Sequence, residues 1–290
     1  MNGIEAGDEI FGGRRASYGL VRRTTAADHA RAMLVLVIGL ACGHPPAERP
    51  RAPDGPALRV LTYNVNFGIA GDDETIAAIR DADADLVLLQ ETNAAWEHAL
   101  RAALSDRLPG MIFRHRGGAG GLAVLSRLPV VEAEFFAPVG EGWFPAARVV
   151  VQAPFGRVQA LSVHLRPPVS DGGSFLSGAF TTPAVRFGEI RDFFARLAPA
   201  YPTLIAGDFN EEEDGDAVKF LVGKGLISAL ARYAPGQPTW RWPTPIGTLH
   251  KQLDHVLYDA RLEAVSAEIR SRGRSDHLPV IAVFTPGRAR

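Results

Sequence analysis

The sequence predicts an α/β protein built from packed β-sheets flanked by helices. Three observations carry that expectation. Apolar, β-rich runs recur along the chain and finish in polar residues. Fewer helical stretches separate them than a repeating βαβ wheel would need. Beyond a Pro-rich stretch ending at Pro56 there is no second composition break and no internal repeat, so residues 57–286 read as one domain. The 290 residues suffice for a substantial core. With 47% hydrophobic and 22% charged residues, the composition argues against a disordered chain. A formal net charge of −1 argues against a nucleic-acid coat protein, though a local basic groove can coexist with a neutral total.

Arg22, Arg23 and Arg31 precede an apolar run from Ala32 to Ala41, and Cys42-Gly43 follows. A basic flank, a short apolar core and small residues before the break form a secretory signal over residues 1–42. The run is about half the length of a spanning helix, which argues against a permanent transmembrane anchor. Gly39-Leu40-Ala41-Cys42 resembles a bacterial lipobox, with Gly39 where Leu is usual; Cys42 would then be the lipidated first residue. A plain signal peptide or a true start at Met33 explains the same stretch. Export to the cell envelope or medium is the expectation. Residues 43–56 read as a linker.

Leu58 to Asn66 opens the domain as a strand ending in amides. Asp72 to Ala82 has Ile76 and Ile79 at helical spacing behind acidic residues. Asp85 to Glu91 is a buried strand finishing in a carboxylate, and Thr92 is placed to cap a helix reaching Leu104. Met111–His115 and Gly121–Ser126 read as strands across a glycine-rich turn that lacks the Lys and Ser/Thr of a P-loop. Strands follow at Val130–Phe136, Ala147–Gln152 and Val158–Val163, the last leading into His164. Residues 165–183 read as a long loop, of a kind that is often functional. A core-facing helix covers Ala184–Leu197. Thr203 to Asn210 is a strand that breaks at Gly207 into Asp208-Phe209-Asn210. A helix over Asp216–Val222 and strands at Leu253–Leu257 and Leu278–Val283 complete the chain.

Polar groups thus gather at strand ends: Asn64, Glu91, His164, Asp208 with Asn210, and Asp276-His277, with Asp254 in a further strand. Each has a plain structural explanation alone. Asp208 and Asn210 suit a turn, Glu91 could cap a helix, and Asp254 could be a buried acid paired with Arg. As a set they suit a hard, oxygen-ligated cation, Mg²⁺ or Mn²⁺. No Cys or closely spaced His set is present for a closed zinc site.

Thr62-Tyr63-Asn64-Val65, Leu89-Gln90-Glu91, Leu161 to Leu165, Gly207-Asp208-Phe209-Asn210, Gln252 to Val256 and Ser275-Asp276-His277-Leu278-Pro279 resemble the motifs of the endonuclease/exonuclease/phosphatase superfamily, in its order. The resemblance is to the deoxyribonuclease-like part of that superfamily. It implies a four-layer α/β/β/α sandwich of two packed mixed sheets, with the site at one end of both. It also implies that Asn64 and Glu91 belong to the metal shell, Glu91 as direct ligand, and that Asp276 assists there or at a second cation position. His277 would be a catalytic imidazole oriented or kept charged by Asp254. Asp208 would orient the attacking water, Asn210 would bind a phosphoryl oxygen, and His164 would be the second imidazole. Asn66 stands where several members have Asp, which weakens a second tight metal position. His255 reads as packing.

The expected activity is therefore Mg²⁺-dependent phosphodiester hydrolysis by a monomer, with DNA as the first substrate considered. Phosphates call for cations, and Arg148 and Arg186 are the substrate-binding candidates, with Arg166, Arg241, Lys251, Arg272 and Arg274 in nearby loops. Trp143-Phe144 and Trp240-Arg241-Trp242 could stack on bases, dip into lipid, or simply pack. A phospholipid or inositol phosphoester is the alternative substrate. A non-catalytic envelope binding protein on the same fold is the third reading, and a lipid anchor at Cys42 the only membrane contact expected.

Overall fold

The computed structural model describes residues 45–245 and 247–287. The leader, Cys42 and the first two linker residues lie outside them. The first half of the chain runs β1 (Leu58–Asn64), α1 (Asp73–Asp81), β2 (Leu86–Gln90), α2 (Ala94–Leu104), β3 (Gly110–Arg114), β4 (Leu122–Ser126), β5 (Val130–Phe136), β6 (Ala146–Ala153) and β7 (Gly156–His164). Then come α3 (Phe175–Thr181), α4 (Pro183–Ala195), β8 (Thr203–Asp208), α5 (Asp216–Gly223), β9 (Ile227–Ser228), α6 (Ala229–Tyr233), β10 (Trp240–Thr244), β11 (Gly247–Lys251), β12 (Asp254–Tyr258), β13 (Leu262–Ile269) and β14 (Val280–Pro286).

Two six-stranded mixed sheets result, ordered β13-β14-β1-β2-β4-β3 and β5-β6-β7-β8-β12-β9, with β10 and β11 as a separate hairpin. Strand alternation divides the apolar residues into layers. Leu58, Val60, Leu86 and Leu88 of one sheet meet Val149, Ala160, Leu204 and Val256 of the other in the central core. The opposite face of the first sheet, Leu61, Tyr63, Val87 and Leu89, packs under α1 and α2 through Ile76, Ile79, Trp96 and Leu100. Leu161, Val163 and Ile205 on the outer face of the second sheet are covered by Ile190 and Phe193 of α4 and by Val218 and Leu221 of α5. This is the α/β/β/α sandwich expected.

Several local expectations need correction. Helix α2 is capped by Asn93, whose side chain accepts from the Trp96 N–H at 2.9 Å, and not by Thr92. The segment 165–183 holds a short helix, α3, whose start is capped by Ser174. Strand β13 is not expected from the sequence, and a register shift between Ala264 and Ser266 interrupts its alternation. The β10–β11 hairpin was hidden by its polar composition and by Pro243 within a strand. Part of the segment read as a linker lies on the domain. The Glu48 N–H donates to the Arg232 carbonyl at 2.7 Å, and the Arg51 N–H to that of Val265 at 2.9 Å.

Candidate active site

In each sheet one parallel strand pair delivers its polar tips to the same end of the sandwich. Asn64 of β1 lies opposite Gln90 of β2, and His164 of β7 opposite Asp208 of β8. Strand β12 runs antiparallel to β8, so its first residue, Asp254, also faces Asp208. Gly207 makes the β7–β8 approach possible: its φ is 149°, and a methyl there would collide with the Val163 carbonyl. Glu91 and Asn210, just past β2 and β8, adopt left-handed backbone at φ 60° and 52°. Non-glycine residues rarely sit there, and such strain concentrates at functional sites.

Asp208 is the hub. Its Oδ2 accepts from Asn64 Nδ2 at 3.1 Å, which links the two sheets, and lies 3.5 Å from Nε2 of both His164 and His277. Its Oδ1 accepts from the Asn210 N–H at 2.9 Å. His277 Nδ1 is 2.8 Å from Asp254 Oδ2. The two imidazoles differ in charge. Burial alone would drive the His277 proton off, but Asp254 and Asp208 outweigh it and push the pKa up to about 10. Burial wins at His164, where a single carboxylate, Asp208, is opposed by His277, and the pKa falls to about 4. At neutral pH one ring is an imidazolium and the other neutral. Burial also raises the Asp208 carboxyl, against the pull of both imidazoles.

A second group of oxygens lies beside this hub. Glu91 Oε1 accepts from Asn64 Nδ2 at 3.0 Å and Oε2 from the Phe67 N–H at 3.3 Å. Asp276 Oδ1 accepts from Asn66 Nδ2 and Oδ2 from Trp240 Nε1. Burial raises the Glu91 carboxyl, and nearby Asp276 adds to that. Among the described residues, all their hydrogen-bond donors are neutral and neither acid is paired with Arg or Lys; the charge of nearby His277 draws the Glu91 carboxyl down, but burial outweighs it. Such an oxygen set fits a hard divalent cation. Atoms of Asp208, Asp254 and His277 also lie within 4.8 Å of one another, a spacing open to a metal. There the imidazole already sits between two carboxylates and holds its proton, so the Glu91 side is the better cradle.

The structure brings together Asn64, Glu91, His164, Asp208, Asn210, Asp254, Asp276 and His277. It does not bring Arg148. That guanidinium is buried mid-strand in β6, bonded to Gln159 and to Glu132 at 2.9 Å, and does not line the cleft. Arg186 does line it but is paired with Glu211 at 3.1 Å and with the Thr182 hydroxyl. His255 does more than pack: it is buried edge-on against Phe209, its Nε2 bonds the Glu211 carbonyl, and its Nδ1 lies 3.3 Å from Glu213 Oε2. Sequence reasoning missed Thr239, whose hydroxyl accepts from the Leu253 and Asp254 N–H groups, both at 2.9 Å. No signal marks a lone Thr for that task. The cleft, about 1120 Å³, extends beyond the polar centre between Phe144, which stacks on His164 at 4.0 Å, and the Trp240–Trp242 pair.

No functionally curated protein matches the chain by sequence. Solved structures do match by fold. An endonuclease/exonuclease/phosphatase from Beutenbergia cavernae superposes with a TM-score of 0.62 at 20% identity, over 80% of this chain and 72% of that one. The human Nocturnin catalytic domain with bound sulfate gives 0.60 at 18%, over 80% and 95%. D. rerio TDP2 complexed with a single-strand DNA product gives 0.59 at 15%, over 79% and 99%. The model of the Endonuclease/Exonuclease/phosphatase family matches residues 61–277, which hold every residue of the polar centre. With that span matched and the strand-end geometry in place, the chain belongs to the endonuclease/exonuclease/phosphatase family.

Proposed function

We propose that the chain is a metal-dependent hydrolase of phosphodiester bonds. The observation that carries this is Asp208, a buried carboxylate 3.5 Å from one charged and one neutral imidazole. Asp208 orients the attacking water and accepts its proton. His277, kept charged by Asp254, donates an N–H to a phosphoryl oxygen as negative charge builds on it. Asn210 spends one amide hydrogen on the Leu165 carbonyl at 3.0 Å, leaving the other for the phosphoryl group. Glu91, with Asn64 and Asp276 beside it, would hold Mg²⁺ or Mn²⁺, which supplies charge neutralisation at the phosphorus. His164, neutral and wedged under Phe144, completes the wall on the far side of Asp208.

Nucleic acid, DNA first, is the substrate proposed. The Trp240 and Trp242 rings, 6.1 Å apart at 12°, form a platform on which a base can stack, and the TDP2 relative was captured with single-strand DNA. A second substrate has its own support. Phe67, Trp242 and Leu249 line the cleft and are about half exposed, while Arg186 and Lys251 are both paired with glutamates. An apolar rim with neutralised cations suits a phosphodiester bearing an acyl or other apolar group. Hydrolysis of plasmid DNA, a sphingomyelin and an inositol phosphate, each with and without chelator, separates the two. Chelator-sensitive DNA cleavage that falls steeply with salt supports the nuclease. No hydrolysis of any phosphodiester in Mg²⁺ or Mn²⁺ overturns the enzyme. Export remains part of the proposal, and the mass of the mature N-terminus tests it: a chain beginning at Cys42 with acyl groups is the expected result.

A further inference from the structure

Glu189, on α4, has no part in the chemistry above, yet it touches both ends of the wall that covers His164. The residue is buried, and its Oε2 accepts the Arg166 N–H at 2.8 Å. Its Oε1 is buried with no hydrogen-bond partner and lies against Gly142, where an added methyl would collide with it. Arg166 follows His164 by two residues, and Gly142 precedes Phe144 by two. The two segments are stitched together: Arg166 Nη1 donates to the Glu141 carbonyl at 2.7 Å, and its guanidinium lies 3.6 Å from the centre of the Trp143 ring. Phe144 in turn stacks on the His164 imidazole.

We infer that Glu189 is a positioning residue for His164. It holds the Arg166 main chain from one side and props the Gly142 turn from the other, so that Trp143 and Phe144 close over the imidazole. Burial is the largest influence on its carboxyl and pushes the pKa up to about 7, against the Arg166 N–H and the charges of Arg186 and Arg166. Near neutral pH it is therefore often an uncharged group of fixed shape, which glutamine reproduces and alanine does not.

The kinetic half of the test rests on the hydrolase proposed above; the spectroscopic half does not. Glu189→Ala removes both contacts. Gly142→Ala drives a methyl into Oε1 without deleting any side chain of the cleft, and it serves if Glu189→Ala fails to fold. On bis(4-nitrophenyl) phosphate with Mg²⁺, both are expected to lower kcat by between about tenfold and a hundredfold, because His164 Nε2 lies 3.5 Å from Asp208 Oδ2 and holds that carboxylate in place, and a misplacement of about 1 Å can cost up to a hundredfold. KM should move much less, and Glu189→Gln should stay near wild type. Trp143 emission, taken as the difference from the matching Trp143→Phe protein, should shift to longer wavelength in the two alanine variants and not in the glutamine one. If the wild type hydrolyses nothing, the enzyme proposal falls and the emission still decides the positioning. Folded alanine variants with unchanged emission overturn the inference, as does a Glu189→Gln protein as altered as Glu189→Ala.

Discussion

The two ends of strand β12 show what the sandwich does with polar groups. At one end Asp254 faces Asp208, and at the other Tyr258 faces Leu204. Around Tyr258 the charges are matched. Arg232 reaches the Tyr258 hydroxyl and both oxygens of Glu48, while Asp259 accepts the Thr203 N–H and pairs with Arg261. Around Asp254 they are not. Asp208, Glu91 and Asp276 lack Arg or Lys partners among the described residues, Asp254 Oδ1 is buried without a donor, and Asn66, Glu91 and Asn210 carry left-handed backbone. Three of the four left-handed non-glycine residues among those described, Asp83 being the fourth, and the acids without Arg or Lys partners are gathered at one end, and the far end helps to offset them.

The sharpest way to break that contrast is to neutralise the hub. Asp208→Asn keeps the shape but cannot take a proton, and a loss of about a thousandfold in kcat is expected, within the range for a removed general base. A variant within a few-fold of wild type would remove Asp208 from the reaction. Next in size is the cation. If Glu91 and its neighbours bind Mn²⁺, a concentration a hundred times Kd should stabilise the fold by about 2.7 kcal/mol. Glu91→Gln should abolish that gain, read as the shift in melting temperature on adding the ion. An equal shift in wild type and variant would move the ion elsewhere, Asp208 with Asp254 and His277 being the next place to look.

The two imidazoles sharpen the comparison through pH. His277 titrates at about 10 in the folded chain against 6.5 ordinarily, so the folded state keeps a proton that the unfolded state has lost. Its contribution to stability is complete below about pH 6.5 and disappears as pH rises towards 10. His164 has the opposite sign. Lowered to about 4, it stays neutral while the unfolded state takes a proton, so stability falls as pH drops from 6.5 towards 4. Urea midpoints measured across this range should fall on both sides. His277→Gln should flatten the alkaline limb alone, and His164→Gln the acid limb alone. A variant that leaves its own limb unchanged would contradict the assigned protonation states.

Much of this end of the molecule was legible in the sequence because strand ends broadcast it. An apolar run stopping at Gly207-Asp208-Phe209-Asn210 or at Gln90-Glu91 leaves a polar tip where a parallel pair finishes, whatever the rest does. Arg148 misled because an arginine near a motif reads as a phosphate contact, whereas alternation along β6 turns it towards Gln159 and Glu132. Thr239 and Glu189 act through a main-chain N–H brought close only by the fold, and no spacing rule reaches that far. The far end was less legible still. Residues 45–56 have no apolar periodicity, and what holds Glu48 and Arg51 down is charge and hydrogen bonding with partners at Arg232, Glu263 and Val265.

That strap gives the smallest expected effect and the cleanest control. Glu48→Ala removes a two-pronged pair with Arg232 whose bonds measure 2.9 and 2.8 Å, yet the pair is partly exposed and solvent screens it. The cost should be about 1 kcal/mol or less, seen as a lower urea midpoint that salt diminishes further in wild type than in the variant. Phosphodiester hydrolysis should not change, because Arg232 is tied to the Tyr258 end of β12 and not to the Asp254 end. A Glu48→Ala protein that keeps its midpoint but loses activity would mean that the two ends are coupled, and the division of strain from support along β12 would have to be abandoned.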